Sequence, residues 1–196
     1  RKTTMRVGGA ARFYAEPNSL EDLYVLLEGI RSAELPFFVL GRGSNIIVPD
    51  EGYPGVVLRM TAAVWQAIEV LENGKIRVGA GVRLKEFCGQ MAKHGLTGFE
   101  FLEGIPGSVG GALRMNAGAM GGWMFDVVES VEFLDATGVL RNWNGEQFSV
   151  DYRSCRELAD GIALRAVLNA SGSSDEVGDV RRKMDTYAFS RKESQP

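Results

Sequence analysis

The sequence predicts an α+β fold. Strand-like segments meet one another across turns as often as they meet helices, which disfavours a doubly wound sheet. Helical periodicity is confined to a few stretches. The 25 glycines of the 196 residues are nearly twice the average share of about 7%, and they fall in clusters between ordinary hydrophobic segments. Such clusters read as tight loops inside a folded domain.

In chain order, residues 1–18 are extended, with a strand at Phe13-Tyr14-Ala15 stopped at Pro17. Ser19-Leu20-Glu21-Asp22 is a capping-box variant. Behind it Leu20, Leu23, Leu27 and Ile30 recur at helical spacing, so a helix runs over 19–32. Phe37 to Leu40 is a strand leading into Gly41-Arg42-Gly43-Ser44-Asn45, followed by an apolar run at Ile46-Ile47-Val48, a turn at Pro49 to Gly52 and a strand at Val56 to Leu58. Alternation from Val64 to Leu71 opens a second unit. Asn73-Gly74 is a hairpin signal, with the return strand at Lys75 to Val78. Leu84, Phe87, Cys88 and Met91 form a helix face ending near His94-Gly95, where glycine suits the left-handed cap. Residues 99–124 are glycine-rich and loop-like, with one short helix. Val128 to Leu134 and Val139 to Trp143 pair across Asp135-Ala136-Thr137-Gly138. Ile162 to Leu168 is a strand, Ser171 to Ser174 a linker and 175–190 a charged helix. Three segments are expected: a β-α-β unit at 1–60, an α+β unit at 61–170, and a linker with its helix at 171–196.

Composition excludes several function classes. A net charge of −3 is no nucleic-acid footprint. No apolar run reaches the ~20 residues of a membrane span, and no signal peptide opens the chain. Cys88 and Cys155 make neither a disulfide framework nor a zinc pattern, and the single His94 excludes a His-rich metal site. No metal, no nucleic acid, no membrane and a cytoplasmic location are therefore expected.

The glycine loops are the candidate site. In Gly41-Arg42-Gly43-Ser44-Asn45 the glycines let backbone N–H groups turn outward as an anion-binding nest, Ser44 and Asn45 add side-chain hydrogen bonds, and Arg42 reads equally as an added charge or a solvent-facing side chain. A plain turn is the alternative. It is no dinucleotide fingerprint, since Ile46 stands where G-x-G-x-x-G needs glycine, and no G-K-[ST] loop occurs. The second loop, Gly104-Ile105-Pro106-Gly107-Ser108-Val109-Gly110-Gly111-Ala112, is tight and stiffened by Pro106. With Asn116-Ala117-Gly118 it offers amides to a pyrophosphate and a bare floor to a planar ring. Close helix packing is the alternative.

The chain resembles the UDP-N-acetylenolpyruvoylglucosamine reductase family of peptidoglycan synthesis. The resemblance rests on Thr3 to Gly9, Leu40 to Asn45, Gly79-Ala80-Gly81, Gly104 to Ala112, Met115 to Ala119 and Tyr152-Arg153-Ser154, in the family's order along essentially the whole chain. It implies a two-subdomain FAD-binding fold of the PCMH (vanillyl-alcohol-oxidase-like) type, non-Rossmann. It implies FAD as cofactor, NADPH as reductant and UDP-N-acetylglucosamine enolpyruvate as substrate, reduced to UDP-N-acetylmuramate. Carried over by position, Gly41, Arg42, Gly43, Ser44 and Asn45 hold the FAD pyrophosphate. Gly104, Ile105, Pro106, Gly107, Ser108, Gly110, Gly111, Ala112, Asn116, Ala117 and Gly118 line the rest of the cofactor. Arg153 is the catalytic arginine, and Tyr152 and Arg153 bind substrate. Hydride addition to an enol ether conjugated to a carboxylate leaves negative charge that a guanidinium fork stabilises. A proton donor must then quench the α-carbon.

Two departures bear on function. The family's proton-donating serine and late glutamate belong to a third, C-terminal substrate domain, and neither occurs here. The chain is therefore expected to be the FAD-binding part of a longer enzyme, inactive alone. A non-catalytic flavin-binding module, and another PCMH-type oxidoreductase, stay open as alternatives. Cys155 stands where the family has serine and reads as a small buried thiol. His94 reads as a helix-end residue, Glu103 as a loop anchor, and Trp65, Trp123 and Trp143 as core or interface. Arg191 and Lys192 read equally as diphosphate contacts or a solvated helix end. Oligomeric state is not legible.

Overall fold

A computed structural model of the chain describes residues 2–173 and 177–194. The first layer comprises β1 (Ala11–Ala15), α1 (Leu20–Ser32), β2 (Phe37–Val39) and β3 (Tyr53–Leu58). Helix α1 starts where an extended Ser19 accepts the Asp22 N–H on its hydroxyl at 3.1 Å, satisfying one of the orphan donors of a first turn. It buries Leu23 and Ile30. Strand β3 lies between β1 and β2, parallel to both. This small sheet thus has the parallel pairing that a β-α-β crossover requires.

The second layer follows with β4 (Ile68–Val70), β5 (Lys75–Gly79), α2 (Leu84–Lys93), β6 (Leu96–Thr97), α3 (Val109–Arg114), β7 (Gly118–Ala119) and β8 (Gly122–Trp123). Next come β9 (Val128–Leu134), β10 (Leu140–Asn144), β11 (Val150–Asp151), β12 (Ser154–Cys155), β13 (Ile162–Asn169), β14 (Gly172–Ser173) and α4 (Val177–Ser194). Its sheet runs β10-β9-β13-β5-β4 with every neighbour antiparallel. A three-stranded parallel sheet and a five-stranded antiparallel sheet, with small two-stranded pairs beside them, make the fold α+β. The Asn73-Gly74 turn takes φ of 59° and 74°, the left-handed pair that a tight hairpin needs. Gly95 caps α2 at φ 67°.

Three expectations are modified. The alternation at 64–71 yields a strand only at Ile68–Val70, because Trp65 turns inward and donates its indole N–H to the Pro17 carbonyl at 2.8 Å. Within the supposed linker, Gly172 and Ser173 pair with β6, while Ser174 lies outside the described residues. Helix α4 is described from Val177 to Ser194 and so runs past the expected end at 190. Residues 175 and 176 and the side chains of Arg191 and Lys192 lie outside what is described. Its Val180 and Met184 are buried, and Lys183 reaches the buried Glu100 at 3.3 Å. Among the described residues no helix is long and apolar enough to cross a membrane.

Strand β13 joins the two cores. Its alternation places Ile162 and Leu164 with Leu23, Ile30, Val56 and Leu58 beneath the small sheet. Further along, Ala166 and Leu168 join Ile76, Val78, Phe87 and Phe99 in the larger core. Burial on one face of one strand thus fixes the small layer against the large one. The seam between them carries the loops after β2 and before α3.

Candidate functional site

The two glycine loops face each other across that seam. A Cβ on Gly41 would come within 2.7 Å of Ser108 Oγ, and the Ser44 hydroxyl donates to the Pro106 carbonyl. Ser108 is buried and caps α3, accepting the Gly111 N–H at 3.4 Å. Asn116, buried at φ 37°, accepts the Phe125 N–H on Oδ1 at 3.1 Å. Part of the polar capacity assigned to ligand by the sequence therefore holds the loops themselves.

Between the layers lie two adjoining clefts of about 460 and 320 Å³. Gly41, Arg42, Gly43, Ser44, Asn45, Ile105, Pro106, Gly107, Ser108, Gly111, Ala112, Asn116, Ala117, Gly118, Tyr152 and Arg153 all line the larger. Gly110 lines the smaller, with Met60, Thr61, Gln66, Ala80 and Gly81. Gly104 lines neither. It is exposed at φ 74° and serves the turn itself. Gly41, Arg42, Ser108, Gly111 and Arg114 belong to both clefts and form the waist.

The waist is cationic. Arg59, Arg83 and Arg114 surround the smaller cleft with Arg42. Burial, and then the nearby Arg83 and Arg59 charges, hold the Arg42 guanidinium below its usual range. Among the described residues Arg42, Arg83 and Arg114 make no ion pair with a carboxylate, although Arg114 donates to the Ala159 carbonyl at 3.2 Å. Like charges gathered without a counter-charge are stabilised by an anion placed among them.

Arg153 sits at the tip of the β11–β12 hairpin at φ 55°, a conformation costly for any residue but glycine. Its guanidinium carbon lies 5.5 Å from the centre of the Tyr152 ring. Two residues on, Cys155 is buried, and desolvation pushes its thiol up to about 11. A neutral thiol there is no nucleophile. Glu103 lines neither cleft.

Sequence reasoning missed Arg59, Arg83, Arg114, Gln66 and Trp123. The Gly79-Ala80-Gly81 cluster was the available signal for the smaller cleft, since Arg83 follows it closely. Trp123 had none. Of the three tryptophans assigned to core or interface, Trp65 is buried, Trp143 packs on Phe133 and Phe148, and Trp123 instead lines the larger cleft.

A family model described as an FAD binding domain matches residues 11–144. This chain belongs to that FAD-binding family. It is 37% identical to the UDP-N-acetylenolpyruvoylglucosamine reductase of Caldanaerobacter subterraneus subsp. tengcongensis, over 100% of this chain and 64% of the relative. With the protein of the same description from Synechococcus elongatus it shares 40%, over 99% and 64%. A crystal structure of UDP-N-acetylenolpyruvylglucosamine reductase from Thermus caldophilus superposes with a TM-score of 0.83 at 33% identity, covering 100% of this chain and 67% of that one. The chain thus spans 64% of the length of these curated relatives. Its α+β fold is the PCMH-type FAD-binding fold.

The residues present fit a flavin dinucleotide. Two adjoining clefts share a wall at Gly41, Arg42, Ser108, Gly111 and Arg114. The cationic waist suits a diphosphate, and the glycine-walled larger cleft suits a broad planar ring.

Proposed function

We propose that this chain is the FAD-binding part of an NADPH-dependent reductase acting on UDP-N-acetylglucosamine enolpyruvate, a flavoenzyme of peptidoglycan precursor synthesis working in the cytoplasm. The observation that carries the reading is convergence. The first glycine loop, most of the second, the Asn116-Ala117-Gly118 stretch and the Tyr152-Arg153 turn are scattered over more than a hundred residues, yet line one cleft. The similarity to reductases of that description supports the substrate class.

In this reading residues 1–60 and 61–170 are two subdomains holding FAD between them. The loop 41–45 and Arg42 take the diphosphate. Backbone of 105–112 and 116–118 lines the ring and the ribityl chain. FAD, when bound, supplies the hydride chemistry. Arg153 pairs its fork with the carboxylate beside the double bond and stabilises charge that develops on reduction. Tyr152 carries the guanidinium on its ring face.

The test is reconstitution with FAD. The expected product is a yellow protein absorbing near about 450 nm, whose complete form oxidises NADPH only when the enolpyruvyl sugar nucleotide is present. Arg153→Ala should retain FAD and lose roughly a hundredfold or more in turnover. Stoichiometric flavin with no turnover in the complete protein would favour a non-catalytic flavin-binding module. A protein that stays colourless in excess FAD would defeat the reading altogether.

A further inference from the structure

Trp123 and Tyr152 sit on separate hairpins and meet at the rim of the larger cleft. Strands β7 and β8 pair Gly118 with Trp123, and the connecting Met120 and Gly121 both take left-handed φ, 53° and 83°. The Trp123 N–H donates to Asp126 Oδ2 at 2.8 Å, so the backbone beneath the indole is tied on both sides. The indole itself rests on Gly118. A Cβ there would lie 2.3 Å from Cε3 and within 2.8 Å of two more ring atoms. Glycine at 118 is therefore the seat of this ring as well as part of the cleft wall.

The Tyr152 ring meets the indole edge-on, with centres 6.1 Å apart and planes at 86°. This geometry places the positive edge of one ring toward the negative face of the other. Tyr152 is 68% exposed, and among the described residues the indole is its aromatic neighbour. The Arg153 guanidinium then lies 5.5 Å from the Tyr152 ring centre. Among the described residues it makes no ion pair with a carboxylate. An anchored indole, a tyrosine leaning on it and an arginine resting on the tyrosine thus form one continuous chain of contacts ending at the cleft.

We propose that Trp123 is a positioning residue that acts through the Tyr152 ring to hold the Arg153 guanidinium toward the cleft, where it receives the carboxylate of an enolpyruvyl ligand. The inference rests on the reading under Proposed function for the identity of that ligand. A flexible arginine on an exposed turn must be ordered each time it binds, at an entropic cost. The indole meets that cost before the ligand arrives.

The test uses the complete FAD-loaded protein and reads binding of the enolpyruvyl sugar nucleotide from the change in flavin absorbance, alongside KM and kcat. Trp123→Ala should weaken binding about fivefold to tenfold and raise KM, compared in protein loaded with FAD to the same flavin-to-protein ratio as the wild type. Trp123→Phe keeps a ring edge and should recover most of the loss. Trp123→Leu keeps apolar bulk without the ring and should behave as alanine does. It also serves if the alanine variant folds poorly. Because the action runs through Arg153, Trp123→Ala should cost little more in an Arg153→Ala background. Wild-type binding in the leucine variant, or additive losses in the double variant, overturns the inference and leaves the reductase reading standing. A wild-type protein that loads FAD yet gives no response to the sugar nucleotide overturns both.

Discussion

The Ser44 hydroxyl donates to the Pro106 carbonyl, and this bond ties together two loops 62 residues apart in sequence. One loop leaves the small parallel layer and the other enters α3. Both loops line the larger cleft, so the bond spans its wall.

Ser44→Ala removes that tie and leaves the Pro106 carbonyl to water. A lost neutral hydrogen bond amounts to about 1 kcal/mol. The thermal midpoint then drops by roughly 2–4 °C, and if the loop spacing governs the cofactor's fit, FAD affinity falls by up to about fivefold. A flavin fluorescence titration reads this directly. Unchanged affinity in the variant would show that the bond has no part in cofactor binding.

Gly43 and Gly110 are both sensitive to substitution, for different reasons. Gly43 holds φ 68°, and a Cβ on it would lie 2.8 Å from the Thr3 Cα; its carbonyl also accepts the Thr4 N–H at 2.9 Å. Any side chain there is strained and pushes residues 2–4 off the loop. Gly110 has no left-handed φ, and its Cβ would meet Ala80 Cβ at 3.0 Å. Gly43→Ala and Gly43→Val should both lose FAD on gel filtration. Gly110→Ala should largely keep it, and Gly110→Val should lose it through bulk alone. The flavin-to-protein ratio decides, and a fully loaded Gly110→Val protein refutes the steric account of the cleft.

Arg83 and Arg114 join Arg42 around the smaller cleft. If a diphosphate is their counter-charge, Arg83→Ala and Arg114→Ala each weaken FAD binding about tenfold at low salt. The salt dependence of binding flattens, and the affinity for riboflavin, which lacks phosphate, stays the same. Equal losses for FAD and riboflavin would place these arginines against the ring or act through the fold.

Asp135 gives a pH dependence whose sign is fixed. Its carboxylate accepts from the Thr137 hydroxyl and then from Arg141, and these hold it well below the usual carboxylate range. A pKa lower in the folded than in the unfolded chain stabilises at pH above the unfolded value of about 3.9. The contribution fades as pH falls below that value toward the folded pKa. Asp135→Asn should therefore lower the thermal midpoint at pH 7 and lower it by clearly less near pH 2, where the contribution is part-way lost. Equal differences at both pH values would rule out the charged form as the stabilising species.

Much of this molecule was legible from neighbours in the chain. Ser19 announces α1 because its hydroxyl reaches a donor three residues on. Asn73-Gly74 and Gly95 announce a turn and a helix end because left-handed φ is a property of one or two residues. The glycine loops announced a ligand for the same reason. Gly104 lines neither cleft: a glycine needed for its own turn looks, in sequence, like a glycine needed for a ligand.

Convergence was decided elsewhere. Arg83 and Arg114 are ordinary surface arginines until β13 packs the small layer against the large one and sets them facing Arg42. Trp123 is one more apolar residue until β7 and β8 pair and seat its ring on Gly118 beside Tyr152. The sequence by itself determined the helices, the turns and the loops able to accept an anion, because each follows from dihedral preferences and short-range hydrogen bonds. Only the tertiary structure decided which charges share a waist and which rings meet. Those encounters depend on burying distant apolar faces together, and no local segment carries that information.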